Sequence, residues 1–291
     1  MRIALVIATL GRVDVLAKTL PVWAAQSKLY DRLVISATCE ADIGGSAKLA
    51  PAAETIFGPK GLCAQRNRAL DLLAGDCEIV AFVDDDYVPC RTFIENAFDV
   101  FVRAPDAVAA TGLVLADGIT KGGIPFEKAL AITAAHDAKA EPENPEILPA
   151  RHSYGCNMVL RMSAAPDLRF DERLPLYGWQ EDLDFSRRLG AYGAIVWSRA
   201  FAGVHMGSTS GRQAGLRLGY SQVANPFYLA AKGPMTWREA TIMASRNMIA
   251  NTVKSFAPEP WVDRRGRLAG NALALADALR RRLRPERILE L

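Results

Sequence analysis

The 291-residue chain has almost no excess of either charge: 35 Lys and Arg against 32 Asp and Glu leave +3 with histidine neutral. No strong field therefore argues for nucleic acid, although RRRLRPER near the C-terminus is locally basic. Histidine is scarce, with three in all, and the five cysteines (Cys39, Cys63, Cys77, Cys90, Cys156) show no CxxC spacing and no His partner in a zinc-binding pattern. That pattern indicates neither a zinc site nor a disulfide framework, and an odd count fits a reducing cytoplasm. No apolar run reaches the ~18 residues a membrane span needs. MRIALVIATLGR is broken by Gly11 and Arg12 and lacks a convincing cleavage site, so it reads as a first buried strand and not as a signal peptide. There is no internal repeat, no low-complexity tract, no P-loop and no GxGxxG. What the chain does have is core: half of it is hydrophobic, enough for one large domain with an extension or for two small ones.

Short apolar runs alternate with helical patterns. Strands are expected at 3–8, 32–36, 55–57 and 78–83, with helices after the first and third, the latter opened by the turn GPKG. Repeated β-α-β predicts an α/β fold with a parallel, doubly wound sheet. A helix over 91–102, an apolar run over 108–115, a surface excursion over 116–150 with one helix near 126–135, and a strand within 152–161 follow. Beyond them come a helix starting near Gln180 and a short strand over 195–197. GSTSGR reads as a flexible loop, and after it every segment looks helical: 214–232, 236–256 and 262–283. The expected division is 1–213 for the α/β domain and 214–291 for a helical extension packed on it.

Two acidic clusters carry the chemistry. In FVDDDYVP, residues 82–89, Asp84, Asp85 and Asp86 follow a buried-strand run and so fall at the edge of the sheet where ligands bind. Adjacent carboxylates repel unless a cation or donors hold them ionised, which suggests Mg²⁺ or Mn²⁺ with a phosphate-bearing ligand. A solvated turn before Pro89 is the plainer alternative. The second cluster is Glu181, Asp182 and Asp184 at a helix start. Helical spacing puts Asp182 on the stripe of Phe185, Leu189 and Tyr192, and leaves Asp184 and Arg188 as a surface pair. Acids favour a first turn for electrostatic reasons alone, but the neighbouring Tyr177 and Trp179 are aromatics of the kind that stack on sugar rings. Lys60 and Arg66 around GPKG are able to neutralise phosphate. His205, just before the loop ending in Arg212, is either a core histidine or part of the site.

The order of these features resembles the family 2 glycosyltransferases of the GT-A fold, over roughly residues 1–212. VIATLGR resembles the nucleotide loop after the first strand, GPKGLCAQRN the arginine-asparagine helix, and FVDDDYVP the Asp-x-Asp motif. GCNMVLR resembles the Gly-x-Asn strand on the acceptor side and GWQEDLDFSRRL the Glu-Asp helix. The resemblance implies a GT-A fold, a Rossmann-like and mostly parallel sheet flanked by helices, and a nucleoside-diphosphate sugar as donor. It implies that Thr9, Arg12 and Asp84 approach the nucleoside, with Asp85 assisting, and that Lys60, Arg66, Asn67 and Arg212 line the donor site. Asp86, with His205, would bind Mg²⁺ or Mn²⁺. Asp182 would be the general base, with Glu181, Trp179, Tyr177 and Asn157 toward a saccharide or lipid-linked saccharide acceptor. The implied activity is inverting transfer in polysaccharide or glycolipid assembly; a sugar nucleotidyltransferase and a non-catalytic nucleotide-sugar binder are the alternatives. The family's aspartate after the second strand is replaced here by ISATCEAD, where Glu40 or Asp42 is the substitute. A cytoplasmic protein is expected, with three roles open to the C-terminal helices: peripheral contact with the inner face of the membrane, homodimerisation, or capping the core.

Overall fold

The computed structural model describes residues 1–50, 52–139, 145–208 and 214–291, with residue 47 described by its backbone alone. Two compact units form: one of residues 1–60, 64–170 and 185–211, the other of 61–63, 171–184 and 212–291.

The first unit is built around one sheet. In chain order its elements are β1 (Ile3–Ala8), α1 (Val13–Ala24), β2 (Arg32–Ala37), β3 (Ala53–Phe57), α2 (Leu62–Leu73), β4 (Ile79–Asp84) and β5 (Tyr87–Pro89). Then come α3 (Phe93–Arg103), β6 (Ala107–Asp117), α4 (Phe126–Asp137), β7 (Ile147–Pro149), β8 (Asn157–Arg161), α5 (Glu181–Leu189) and β9 (Ala194–His205). The opening turns of α2 and α5 are counted with the second unit. Strand order is β3-β2-β1-β4-β8-β6-β9-β5, with β7 also on β9. β3, β2, β1 and β4 run parallel, as β-α-β connections require. β8 then enters antiparallel between β4 and β6, and β6 pairs parallel with β9. IALVIA and the IVAFV that precedes Asp84 are apolar without alternation because their residues lie in strands covered on both faces of the sheet.

Three strand expectations change. β5 and β7, each of three residues, lie on β9 where a turn and a strandless excursion were expected. Such short segments carry no periodicity, and Pro89 and Pro149 suit them to sheet edges. β9 is 12 residues long, not a short IVW. Its continuity is hidden because the β6 register jumps from Gly112↔Ser198 to Leu113↔Ala202, leaving 199–201 out of the ladder.

β9 also makes room for a large ring. A Cβ on Gly203 would meet the Tyr87 ring at 2.5 Å. The wholly buried Tyr87 packs there with Phe93 (ring centroids 5.7 Å apart), which in turn meets Trp23 at 5.3 Å and Phe201 at 5.1 Å.

The second unit is helical: α6 (Gly215–Lys232), α7 (Trp237–Lys254) and α8 (Arg264–Leu279). Tyr220, Val223, Ala224, Ala274 and Ile288 form its core. Thr236 caps α7 reciprocally with Glu239. No described helix is long and apolar enough to cross a membrane.

Candidate metal centre

β4 delivers Asp84 at its last position, and the chain turns through Asp85 and Asp86 into β5. In the ladders, His205 at the end of β9 is the register partner of Tyr87 on one side and of Asp117, the last residue of β6, on the other. Met206 N donates to Asp86 O at 3.0 Å and so closes the β5–β9 end. Three strand ends thereby converge, and ligand atoms of Asp84, Asp86 and His205 lie within 4.8 Å of one another.

The imidazole bridges two carboxylate environments. His205 Nδ1 lies 3.1 Å from Asp117 Oδ1, and since a carboxylate can only accept, Nδ1 carries the proton. Nε2 then faces Asp86 Oδ1 at 3.4 Å and Asp84 Oδ2 at 3.6 Å. A histidine whose far nitrogen is fixed by a carboxylate is the usual form of a metal-bound imidazole. Tyr154 OH, in turn, donates to Asp117 Oδ2 at 2.8 Å. Asp86 is 2 % exposed, and its Oδ1 is buried without a well-aligned hydrogen bond despite the nearby Nε2. A buried carboxylate oxygen without a well-aligned donor is costly, and here it lies in a mixed oxygen and nitrogen donor set that suits a divalent cation. The residues fit such an ion.

Without an ion the imidazolium supplies the charge. Burial works to lower the His205 pKa, but Asp117 and Asp86 push it up to about 10. Burial would raise Asp86, yet His205 and the Ser208 N–H (2.6 Å to Oδ2) hold it below the ordinary carboxylate range. Asp84 is raised, mainly by burial, with His205 and Arg66 opposing.

Asp85 points into a different environment. Its oxygens accept from Thr9 Oγ1 and Arg12 Nη1, both at 2.8 Å, and its carbonyl accepts from Thr19 Oγ1 at 2.8 Å. Burial lifts its pKa to about 6 against the pull of Arg12. Thr9 and Arg12 are thus held next to the acids by Asp85, the one aspartate that sequence reasoning gave only an assisting role.

The other expected residues fall as follows. Arg66 is 1 % exposed; Nη2 donates to Gly155 O at 3.0 Å and lies 3.5 Å from Asp84. Asn67 is buried and exchanges bonds with Phe170, its Nδ2 donating at 3.0 Å and its Oδ1 accepting at 2.7 Å. Lys60 is exposed. Asn157, expected toward an acceptor, is instead fully buried, accepting from Thr111 Oγ1 and donating to Tyr87 OH. Its strand, β8, is an interior one, between β4 and β6. Asp42 holds the turn after β1: it accepts from Gly11 N at 2.8 Å, Thr38 N at 2.9 Å, Cys39 N at 3.2 Å and Thr38 Oγ1. Arg212 lies outside the described residues.

In the second unit, Glu181 is buried and Asp182 half-buried in the first turn of α5. The preceding loop holds two non-glycine residues in left-handed backbone, Leu176 (φ 59°) and Gln180 (φ 76°), a strain that accumulates at functional sites. Tyr177 is 44 % exposed, and the Trp179 carbonyl accepts from Asn225 Nδ2 at 2.8 Å. Asp184, expected in a surface pair with Arg188, is not at the surface: it is fully buried, and Lys232 Nζ donates to both of its oxygens at 2.8 and 2.9 Å. Tyr192, expected on the inward stripe, is 60 % exposed.

Neither a protein-family model nor a curated protein sequence matches the chain. Solved structures do match. S. aureus TarS 1–349 aligns with TM-score 0.53 and 14 % identity over 88 % of this chain and 73 % of that one. The mannosyltransferase PcManGT from Pyrobaculum calidifontis, in complex with GDP-Man and Mn²⁺, aligns with TM-score 0.52 and 16 % identity over 99 % of this chain and 85 % of that one. The chain shares the GT-A fold with these structures. In a GT-A sheet, Asp84–Asp86 occupy the C-terminal edge of a central parallel strand, where α/β sheets bind ligands. Asp117 and Tyr154 escaped sequence reasoning. The available signal for Asp117 was an acid ending an apolar run, LVLAD, in the same pattern as FVD.

Proposed function

We propose that this protein is a metal-assisted glycosyltransferase that moves a sugar, with inversion, from a nucleoside-diphosphate sugar to a hydroxyl of a saccharide or lipid-linked saccharide acceptor. The observation that carries the reading is the Asp84, Asp86 and His205 cluster, braced by Asp117, at the ligand-binding edge of a GT-A sheet. Those three side chains would hold Mg²⁺ or Mn²⁺. Such an ion would supply positive charge that favours departure of the nucleoside diphosphate. Thr9 and Arg12, held by Asp85, approach the nucleoside. Lys60 adds cationic charge for the phosphates, and Arg66 tunes Asp84 from behind.

Asp182 is the general base in this reading, accepting the acceptor hydroxyl's proton as the new bond forms, and Glu181, Trp179 and Tyr177 orient the acceptor. The strained loop before α5 supports a functional role for these residues. Asn157 we assign to the core. The exposed apolar residues of the second unit, Ile249 (63 %), Val253 (63 %) and Phe256 (85 %), with Arg246 and Lys254 on the same stretch, are our assignment for a membrane or subunit contact. Absence of both liposome co-sedimentation and a dimer in light scattering would reject it.

The decisive experiment is a thermal-shift screen of nucleoside diphosphates and nucleotide sugars with and without Mn²⁺, followed by donor hydrolysis on the best ligand. The expected result is a Mn²⁺-dependent rise with one base. No rise with any nucleoside diphosphate would overturn the reading.

A further inference from the structure

A second constellation lies in the first unit, away from the acidic cluster. Cys90 occupies the turn between β5 and α3, and its backbone is pinned: N donates to Ala202 O at 2.9 Å, and O accepts from Gln26 Nε2 at 2.9 Å. His136 and Asp137 form the end of α4. Asp137 reaches across to the same turn, where its carboxylate accepts from Arg91 N at 3.1 and 3.3 Å. Cys90 Sγ and His136 Nδ1 are 3.6 Å apart, and one ligand atom from each of the three residues lies within 4.8 Å of the others.

We propose that Cys90, His136 and Asp137 form a binding site for a thiophilic divalent cation of the zinc type, which ties the end of α4 to the turn after β5. Three features suit an ion at this site. First, a tetrahedral ion with bonds of about 2.3 Å to sulfur and about 2.0–2.1 Å to nitrogen holds those two atoms about 3.6 Å apart, a spacing the thiol–imidazole contact already has. Second, thiolate, imidazole and carboxylate together select zinc-like ions, whereas the Asp84, Asp86 and His205 set is harder and suits Mg²⁺ or Mn²⁺. Third, the ligands stand at the C-terminal end of a 12-residue helix, whose dipole favours positive charge.

Access and anchoring both fit. Cys90 is 2 % exposed, His136 half-buried and Asp137 exposed, so an ion enters from the Asp137 side and meets a buried thiol. Binding replaces the thiol proton of Cys90, which leaves to solvent, and takes His136 through a neutral Nδ1. The sequence hides the site because 46 residues separate Cys90 from His136. The inference does not depend on the donor-site reading.

The test uses Co²⁺ as a spectroscopic probe on the full chain, reduced by a phosphine. A thiolate-to-cobalt charge-transfer band is expected to saturate at one equivalent, and Zn²⁺ should bleach it. The Asp84, Asp86 and His205 cluster has no sulfur and cannot produce that band. Cys90→Ser should abolish it, and Cys39→Ser, at an exposed thiol, should leave it unchanged. His136→Ala should weaken the apparent Co²⁺ affinity by more than the ~10-fold that even outer-shell changes cost. Zn²⁺ should raise the melting midpoint of the parent protein and not that of Cys90→Ser. No band at stoichiometric Co²⁺, or a band that survives Cys90→Ser, would overturn the proposal.

Discussion

Lys232→Met should destabilise the protein in a way that depends on pH. Lys232 Nζ bonds both oxygens of Asp184, which is fully buried, and also Asp171 Oδ2 at 2.6 Å, where Tyr228 OH donates as well at 2.7 Å. Removing one partner of a buried ion pair costs about 3–5 kcal/mol because the other charge is left behind. Lys232 keeps 25 % of its side-chain surface exposed and Asp171 retains Tyr228, so the low end, about 3 kcal/mol, is expected. That corresponds to a fall of about 5–10 °C in melting midpoint at pH 7. Burial works to raise the Asp171 pKa, but Lys232 and Tyr228 outweigh it and hold it below the ordinary value. A depressed folded-state pKa stabilises fully above the unfolded value of about 3.9. That stability falls away below the unfolded value and is lost as pH falls through the lower folded-state pKa, so the Asp171 share of the gap between variant and parent should shrink below about pH 4. The assay is calorimetry from pH 7 to pH 3, with Lys232→Met/Asp184→Asn as the compensating pair. A midpoint change below about 2 °C at pH 7, a gap independent of pH, or a double variant no better than the single one would refute the reasoning.

Adjacent functions should separate by variant. Asp86→Ala is expected to lose Mn²⁺-dependent nucleotide binding in calorimetry, whereas Asp182→Asn keeps that binding and loses transfer. Unchanged Mn²⁺ affinity in the first, or full activity in the second, removes the role assigned to each. Gly203→Ala places a Cβ 2.5–2.6 Å from the ring and hydroxyl of Tyr87, which is wholly buried. Urea denaturation should show a loss of about 1–3 kcal/mol from overpacking, and a loss below about 0.5 kcal/mol would show that the ring has room to move.

The parallel half of the sheet was legible because its signal is local. Apolar runs bounded by turns mark β1, β2 and β4, and the acids that end β4 follow directly from where its run stops. The centre as a whole was not, since its geometry depends on pairings distant in sequence. Asp117 and His205 are 88 residues apart and meet only through the parallel register of β6 and β9. β5 is three residues ending in proline, too short for any periodic pattern. Asp184 misled for a related reason. Its spacing to Arg188 describes an isolated helix, and only packing against the end of α6 reveals a buried carboxylate with a lysine 48 residues away.

The alternation along the last residues of β9 sets how the gene tolerates length changes. Val204 and Met206 belong to an apolar cluster with Val88 and Ala129, while His205 between them faces the acids. Side chains alternate faces along a strand, so a one-residue slip exchanges them. The β6–β9 register already shifts once between Val114 and Ala116, so a slip past that point not absorbed there would present Val204 or Met206 to Asp84 and Asp86 in place of His205.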